Sequence, residues 1–294
     1  MKPIKLIIRL ILNKDFFNIY KRRKLINSPA FFELQQYPKI INLLTQTTPF
    51  FEKYIYDKRK KLIYFPQTDI GNLLYATGKF ENEEIAYSSK LLDSYEGGIV
   101  LDIGANVGLH VITWARTHRK HKFYAFEPSI TVGRVLVESV KRNLLQNRVT
   151  VINKAVSNKN GNASFFETTD DAYNSLKDTK RKNIHNVYNV DVISIDDFVS
   201  TNKIESIRFI KIDTEGFENE VIEGASETIK KQMPDFFIEI YKGVNSNINP
   251  EETVKKMIEV GYNAYVYKDG KLHSFQKHDD RFYNYFFSKN SLNV

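Results

Sequence analysis

Val100-Leu101-Asp102-Ile103-Gly104-Ala105-Asn106-Val107-Gly108 runs in nine residues from an apolar strand into a loop bounded by glycines. Residues 108–119 then carry apolar side chains at helical spacing. Strand, glycine loop and helix open a doubly wound α/β sheet, in which ligands lie beyond the carboxyl ends of the strands. Outward from this unit, short apolar strands are expected at 99–103, 122–126, 149–152, 207–212 and 235–240. Helices over 108–119, 130–146, 217–232 and 250–260 alternate with them, the signature of a mostly parallel sheet. A strand pair at 163–167 and 187–193 interrupts the alternation. Residues 263–268, Asp269-Gly270 and 272–275 spell a hairpin, and an aromatic final strand follows around Phe282, Tyr283, Tyr285, Phe286 and Phe287.

Ahead of the glycine loop, a helix over 81–95 should turn Ile85, Leu91, Leu92 and Tyr95 inward before Gly97-Gly98 ends it. Earlier still, residues 29–46 read as a helix, and 51–56 and 62–65 as a hairpin around the charged turn 57–61. The expected organisation is a basic amphipathic helix at 1–24, an accessory region at 25–79 and one catalytic domain at 80–294.

Composition bounds the answer. Of 294 residues, 42% are hydrophobic and 27% charged, enough apolar material for a full core and unlike a disordered chain. Cysteine is absent, which removes disulfides, thiolate metal sites and a cysteine nucleophile. The net charge is +8, yet residues 1–24 hold eight basic side chains against one acid, Asp15. The body is therefore nearly neutral, unlike a nucleic-acid-binding surface, and no nucleic-acid partner is expected. On a helix, Ile4, Ile7, Ile8, Ile11 and Leu12 share one face while Lys2, Lys5, Arg9 and Lys14 lie largely off it. The stretch is far short of the roughly 20 apolar residues that span a bilayer. It suits either an anionic membrane interface or a packing face on the core or a second subunit.

Chemistry concentrates in three places along the sheet. The first loop has Asn106 where a dinucleotide fingerprint wants its second glycine, and the chain has no Gly-Lys-Ser/Thr phosphate loop. Tyr124-Ala125-Phe126-Glu127-Pro128 ends the second strand with an acid placed to accept both hydroxyls of a ribose. Asp102, the glycine loop and Glu127 thus describe a nucleoside crevice without a pyrophosphate-tuned loop. S-adenosyl-L-methionine needs such a crevice, because its amino-acid end stands where the phosphates would be. Ile210-Lys211-Ile212-Asp213-Thr214-Glu215-Gly216-Phe217-Glu218 ends the fourth strand and brings acids and a lysine to the lip. There an acid can orient an acceptor hydroxyl or take its proton, while Glu218 equally suits the first turn of the next helix.

These residues, with Arg142-Asn143-Leu144-Leu145-Gln146-Asn147, Asn153-Lys154-Ala155-Val156-Ser157 and Ile195-Asp196-Asp197-Phe198, occur in an order that resembles the FkbM family of S-adenosylmethionine-dependent methyltransferases. The resemblance covers roughly residues 80–290. It implies a class I methyltransferase fold, Rossmann-like and doubly wound, with a mostly parallel sheet and an antiparallel C-terminal strand. It also implies O-methylation of a sugar, glycan or secondary metabolite. By position, it puts Asp102, Gly104, Ala105, Asn106 and Gly108 at the methionine end of the cofactor and Glu127 at the ribose. Pro128, Asn153 and Ala155 would border the adenine, and Asp213 and Glu215 would face the methyl or the acceptor. His110 stands where an aromatic is expected, either as a packing substitute or as an added acid/base group. Residues 1–80 inherit nothing.

Residues 168–186 form a long polar connection able to cover the crevice, with Tyr173, Asn174 and Ser175 as candidate acceptor contacts. His118, His121, His185, His273 and His278 show no metal-ligand spacing, so no metal is expected, and Asp196-Asp197 reads as a helix start. The competing functions are an NAD-dependent oxidoreductase, disfavoured by Asn106, and a tethered cofactor-binding scaffold without catalysis, disfavoured by Glu127, Asp213 and Glu215. The expected location is cytoplasmic, peripheral at the inner face of a membrane where residues 1–24 bind lipid.

Overall fold

The computed structural model describes residues 55–292 apart from 59, 66–67, 242–248 and 280. The amphipathic segment 1–24, the helix expected over 29–46 and the start of the hairpin at 51 lie outside the described residues. The chain divides into two compact units between Phe80 and Glu81.

In the first unit, β1 (Ile55–Asp57) and β2 (Leu62–Tyr64) pair antiparallel, with Asp57 opposite Leu62. The charged turn closes as read, with Lys61 N donating to Asp57 O at 2.7 Å. Helix α1 (Asp69–Thr77) follows, capped by the Thr68 hydroxyl and stopped by left-handed Gly78.

The second unit carries an eight-stranded sheet. Its strands are β3 (Gly98–Ile103), β4 (His121–Phe126), β5 (Val149–Ile152), β9 (Ile207–Ile212), β10 (Asp235–Glu239), β11 (Asn263–Lys268), β12 (Lys271–Phe275) and β13 (Asn284–Ser288). Their spatial order is β12-β11-β13-β10-β9-β3-β4-β5. The run from β10 to β5 is parallel, whereas β13 enters antiparallel between β10 and β11. The antiparallel C-terminal strand is thus present, and it sits inside the sheet rather than at its edge. The five strands expected from apolar spacing all form within one residue of their expected limits. The inner four are largely buried on both faces, which makes them mainly apolar runs, while β5 closes the edge half-exposed.

Helices cover both faces. Helices α2 (Asn82–Asp93) and α3 (Leu109–Thr117) lie on one, where Trp114 meets Phe209 at 5.6 Å and Tyr87 meets Phe286 at 4.8 Å. Ile85, Leu91 and Leu92 are buried as expected, while Tyr95 lies past the helix end, its hydroxyl on Asp235. Helix α4 (Ile130–Arg142) sets Leu136 against Gly108 at the start of α3. The opposite face carries α5 (Ile195–Thr201), α6 (Glu218–Glu223), α7 (Ser226–Gln232) and α8 (Pro250–Glu259), which pack Phe198, Val221, Ile229 and Met257 onto Leu101, Ile210 and Phe236.

Two expectations change. The helix expected over 217–232 is broken at Gly224, where an added Cβ would lie 2.2 Å from Ser157 O. Close approach of a neighbouring loop, not helical periodicity, sets that break. The interrupting strand pair also leaves the main sheet. Strands β6 (Ala155–Val156), β7 (Gly161–Thr168) and β8 (Ile184–Ile193) form a separate three-stranded sheet over Ala155, Phe165, Val190 and Val192.

Candidate functional site

The strand order reverses between β3 and β9, so the ligand crevice opens beyond their carboxyl ends. Two backbone bonds seat the glycine loop there: Gly104 N and Ala105 N both donate to Phe126 O, at 3.0 and 2.9 Å. Gly104 has φ 75°, and a Cβ on it would lie 1.7 Å from Asp213 O, so only glycine lets the β3 and β9 loops meet. Asn106 is also left-handed, and its Oδ1 accepts from Val107 N at 2.6 Å.

Glu127 closes this loop onto the end of β4. Its two carboxylate oxygens accept from Asn106 N at 2.9 Å and Ser129 N at 2.8 Å. Burial pushes its carboxyl up to about 8, with the charges of Asp171 and Asp213 adding to the shift and the two N–H donors opposing it. Asn153 braces the same corner from β5, donating to Glu127 O, Pro128 O and Ser129 O at 2.7, 3.2 and 3.3 Å. Ala155 is buried in the core of the small sheet.

Behind the glycine loop lies a buried charged row. Asp102 on β3 stands in register with Lys211 on β9. The Lys211 ammonium lies 3.9 Å from Asp102 Oδ1 and 3.0 Å from Asp213 Oδ2. Among the described residues neither Asp102 oxygen has a hydrogen-bond partner, although the residue is only 1% exposed. Burial pushes Asp102 above the usual carboxylate range, against the pull of Lys211. Burial opposes the charge on Lys211 as well, yet Asp213 and Asp102 together raise it above the usual lysine range.

At the lip, Glu215 pairs with Arg181, whose guanidinium also lies 4.1 Å from the Tyr173 ring and 4.8 Å from that of Tyr241. Burial and the neighbouring Asp213 push the Glu215 carboxyl up to about 8, with Arg181 pulling the other way. Glu218 shapes this lip. Its Oε1 accepts from Thr214 N, the Thr214 hydroxyl and Gly216 N within 3.1 Å, holding the turn in which Glu215 is left-handed.

The long connection after β7 crosses the crevice as expected. Asn106 Nδ2 donates to Asp171 O at 3.3 Å on one side, and Arg181 reaches Glu215 on the other. Its candidate contacts divide. Tyr173 stacks with Arg181. Ser175, however, is 2% exposed and donates its hydroxyl to Glu215 O at 3.0 Å, and Asn174 Oδ1 accepts from Thr168 N at 2.8 Å. Both side chains shape the strap instead of facing an acceptor, because the connection needs side-chain partners for its irregular backbone.

Of the two readings left open for His110, the packing one holds. It packs 5.2 Å from Trp114 and 5.8 Å from Phe237, 6% exposed, with Nε2 3.2 Å from Glu81 Oε2. It therefore lies beneath the lip as a packed ring that holds a carboxylate. Burial alone would raise Glu81, but His110, Lys211 and Asn284 hold it below the usual range. Glu81, Arg181, Tyr241 and Glu239 are members of the site that sequence reasoning passed over. Glu239 had a visible signal, an acid at the carboxyl end of an apolar strand.

Residues 102–281 match the family described as the methyltransferase FkbM domain. Among curated relatives, the chain is 26% identical over 179 residues to the hexuronic acid methyltransferase AglP of Haloferax volcanii, covering 60% of this chain and 69% of that one. It is 25% identical over 147 residues to the 2-O-methyltransferase NoeI of Sinorhizobium fredii, covering 45% of this chain and 59% of that one. Among solved structures, a methyltransferase FkbM from Methylobacillus flagellatus aligns with a TM-score of 0.46 at 14% identity, over 88% of this chain and 52% of that one.

Proposed function

Because the chain belongs to the FkbM family of S-adenosylmethionine-dependent methyltransferases, we propose that its acceptor is a hydroxyl group of a sugar or glycan. The single observation that carries the reading is the row of carboxyl groups along the crevice. Asp102, Glu127, Asp213, Glu215 and Glu239 gather at the carboxyl ends of four adjacent strands. These carboxyl groups offer hydrogen-bond acceptors to a ribose diol and to an acceptor hydroxyl, and a positively charged sulfur beside them favours their ionised form. The residues fit the cofactor: among the described residues both oxygens of buried Asp102 lack a hydrogen-bond donor, the left-handed loop admits close approach, and Glu127 retains lone pairs for a ribose diol.

When bound, S-adenosylmethionine supplies a methyl group on a positively charged sulfur. In this reading Asp102 and the Gly104–Gly108 loop hold the amino-acid end, Glu127 the ribose, and Pro128 and Asn153 flank the base. Tyr173, Tyr241 and Tyr283 offer ring faces to a sugar, the last two being 41% and 49% exposed. One relative being a hexuronic acid methyltransferase and the other a 2-O-methyltransferase supports a sugar hydroxyl. Residues 1–24 serve in this reading as a segment for an anionic membrane surface, which suits a lipid-linked glycan.

Calorimetry with S-adenosylmethionine and NAD tests the cofactor, and methyl transfer from tritium-labelled S-adenosylmethionine to p-nitrophenyl glycosides, glucuronides included, tests the acceptor. Binding of the former alone, with label in glycoside, is expected. Binding of NAD alone would sink the reading.

A further inference from the structure

The carboxylates at the lip differ in what already holds them. Asp213 is tied to Lys211 at 3.0 Å, Glu215 to Arg181, and Glu81 to His110 and to Asn284 Nδ2, both at 3.2 Å. Asn284 Nδ2 also reaches Glu84 at 3.3 Å. Among the described residues, Glu239 alone of this group makes neither a hydrogen bond nor an ion pair. Its place follows from the sheet. Ile238 pairs with Ile212, so the next residues, Glu239 and Asp213, leave adjacent parallel strands side by side. Side chains alternate along a strand, which puts Lys211, Asp213, Phe237 and Glu239 on one face, with Asn284 opposite Glu239 on β13. The free carboxylate therefore stands at the crevice edge, between the cofactor loop and exposed Tyr241 and Tyr283.

We propose that Glu239, rather than Asp213, takes the proton of the acceptor hydroxyl, with Asp213 acting to position Lys211 against Asp102. The inference rests on the hydroxyl-methylation reading above. As the acceptor oxygen forms its bond to the methyl carbon, the carbon–sulfur bond breaks with its electron pair going to sulfur. The hydroxyl proton passes to a Glu239 oxygen and from there to solvent. Asp213 and Glu215 already engage Lys211 and Arg181, whereas Glu239 has no such partner among the described residues and leaves its oxygens open to an acceptor hydroxyl.

The groups facing Glu239 set its response to pH. They are Asp213, Glu215 and Lys211 from β9 and its loop, Glu81 at the start of α2 and Tyr283 ahead of β13, with Glu84, His110, Arg181 and Tyr241 one contact further out on Asn284, Glu81, Glu215 and Tyr283. Burial, then the charges of Asp213, Glu81 and Glu215, lift the Glu239 carboxyl well above the usual range, with Lys211 opposing. The base form is accordingly favoured by a cation nearby and by rising pH.

The test uses the full chain. Glu239→Gln is expected to bind S-adenosylmethionine within about threefold of wild type while single-turnover transfer to the glycoside probes falls ~10²–10⁴-fold. Its rate should lose the rise with pH that wild type and Asp213→Asn keep. A wild-type rate in Glu239→Gln, or a rise with pH that persists in it, would overturn the assignment. A second measurement needs no acceptor: calorimetry in buffers of different ionisation enthalpy counts protons released when S-adenosylmethionine binds. Glu239→Gln should release fewer than wild type, and equal release would overturn the assignment. Failure of the wild type to bind S-adenosylmethionine would instead remove the underlying reading.

Discussion

At the scale of single residues, Glu127 joins three segments with one side chain, linking the glycine loop, the end of β4 and the cap of α4. Glu127→Ala should weaken S-adenosylmethionine binding by about 1–3 kcal/mol, the range for leaving buried hydrogen-bonding groups unpaired. Calorimetry reads this directly, and unchanged affinity would remove Glu127 from the cofactor site. The same carboxyl predicts a pH effect. Its value in the fold is about 8 against an ordinary 4.5, so between those limits the native state holds more protons than the unfolded chain. Stability then falls as pH rises through that window. Melting temperature followed from about pH 5 to about pH 8 should decline in wild type and decline less in Glu127→Gln. Equal slopes would mean that Glu127 stays ionised throughout.

At the scale of elements, α7 starts without a cap of its own: Ala225 occupies the cap position and contributes no side-chain acceptor. Asp196 supplies it from α5, accepting from Glu227 N, Thr228 N and the Thr228 hydroxyl at 2.9, 2.8 and 2.7 Å. Asp196-Asp197 does mark a helix start, since Ser194 caps α5 and Asp197 accepts from the Ser194 hydroxyl. One acid of the pair nevertheless serves a helix some thirty residues away in sequence. Asp196→Ala should lower stability by about 1–2 kcal/mol, measured as a shift of the urea midpoint at constant slope. Cofactor affinity should not change, because α5 and α7 lie on the face opposite α2 and α3. A midpoint equal to wild type would show that water replaces the cap.

For the whole molecule, deletion of residues 1–24 separates membrane binding from packing. Most of the net charge lies there beside an aliphatic face, and each basic residue near an anionic surface contributes about 1 kcal/mol. The truncated chain should no longer sediment with phosphatidylserine vesicles while keeping its melting temperature and cofactor affinity. Loss of fold or of oligomeric state on truncation would make the segment structural.

The alternation of strands and helices, the glycine loop and the positions of Glu127, Asp213 and Glu215 at strand ends were legible in the sequence. Each depends only on local periodicity, on φ preferences and on where an apolar run stops. The placement of β13 between β10 and β11, the separate sheet of β6, β7 and β8 and the break at Gly224 were not, because they follow from which segments meet. The same holds for the chemistry. Sequence puts five acids near one sheet edge but cannot say which are neutralised. Lys211 meets Asp102 through the register of β9 on β3, Arg181 meets Glu215 across 34 residues of chain, and His110 meets Glu81 only when α3 packs beside the start of α2. Pairing is a property of distance in space, so only the tertiary structure leaves Glu239, among the described carboxylates at this lip, without a hydrogen-bond or ion-pair partner.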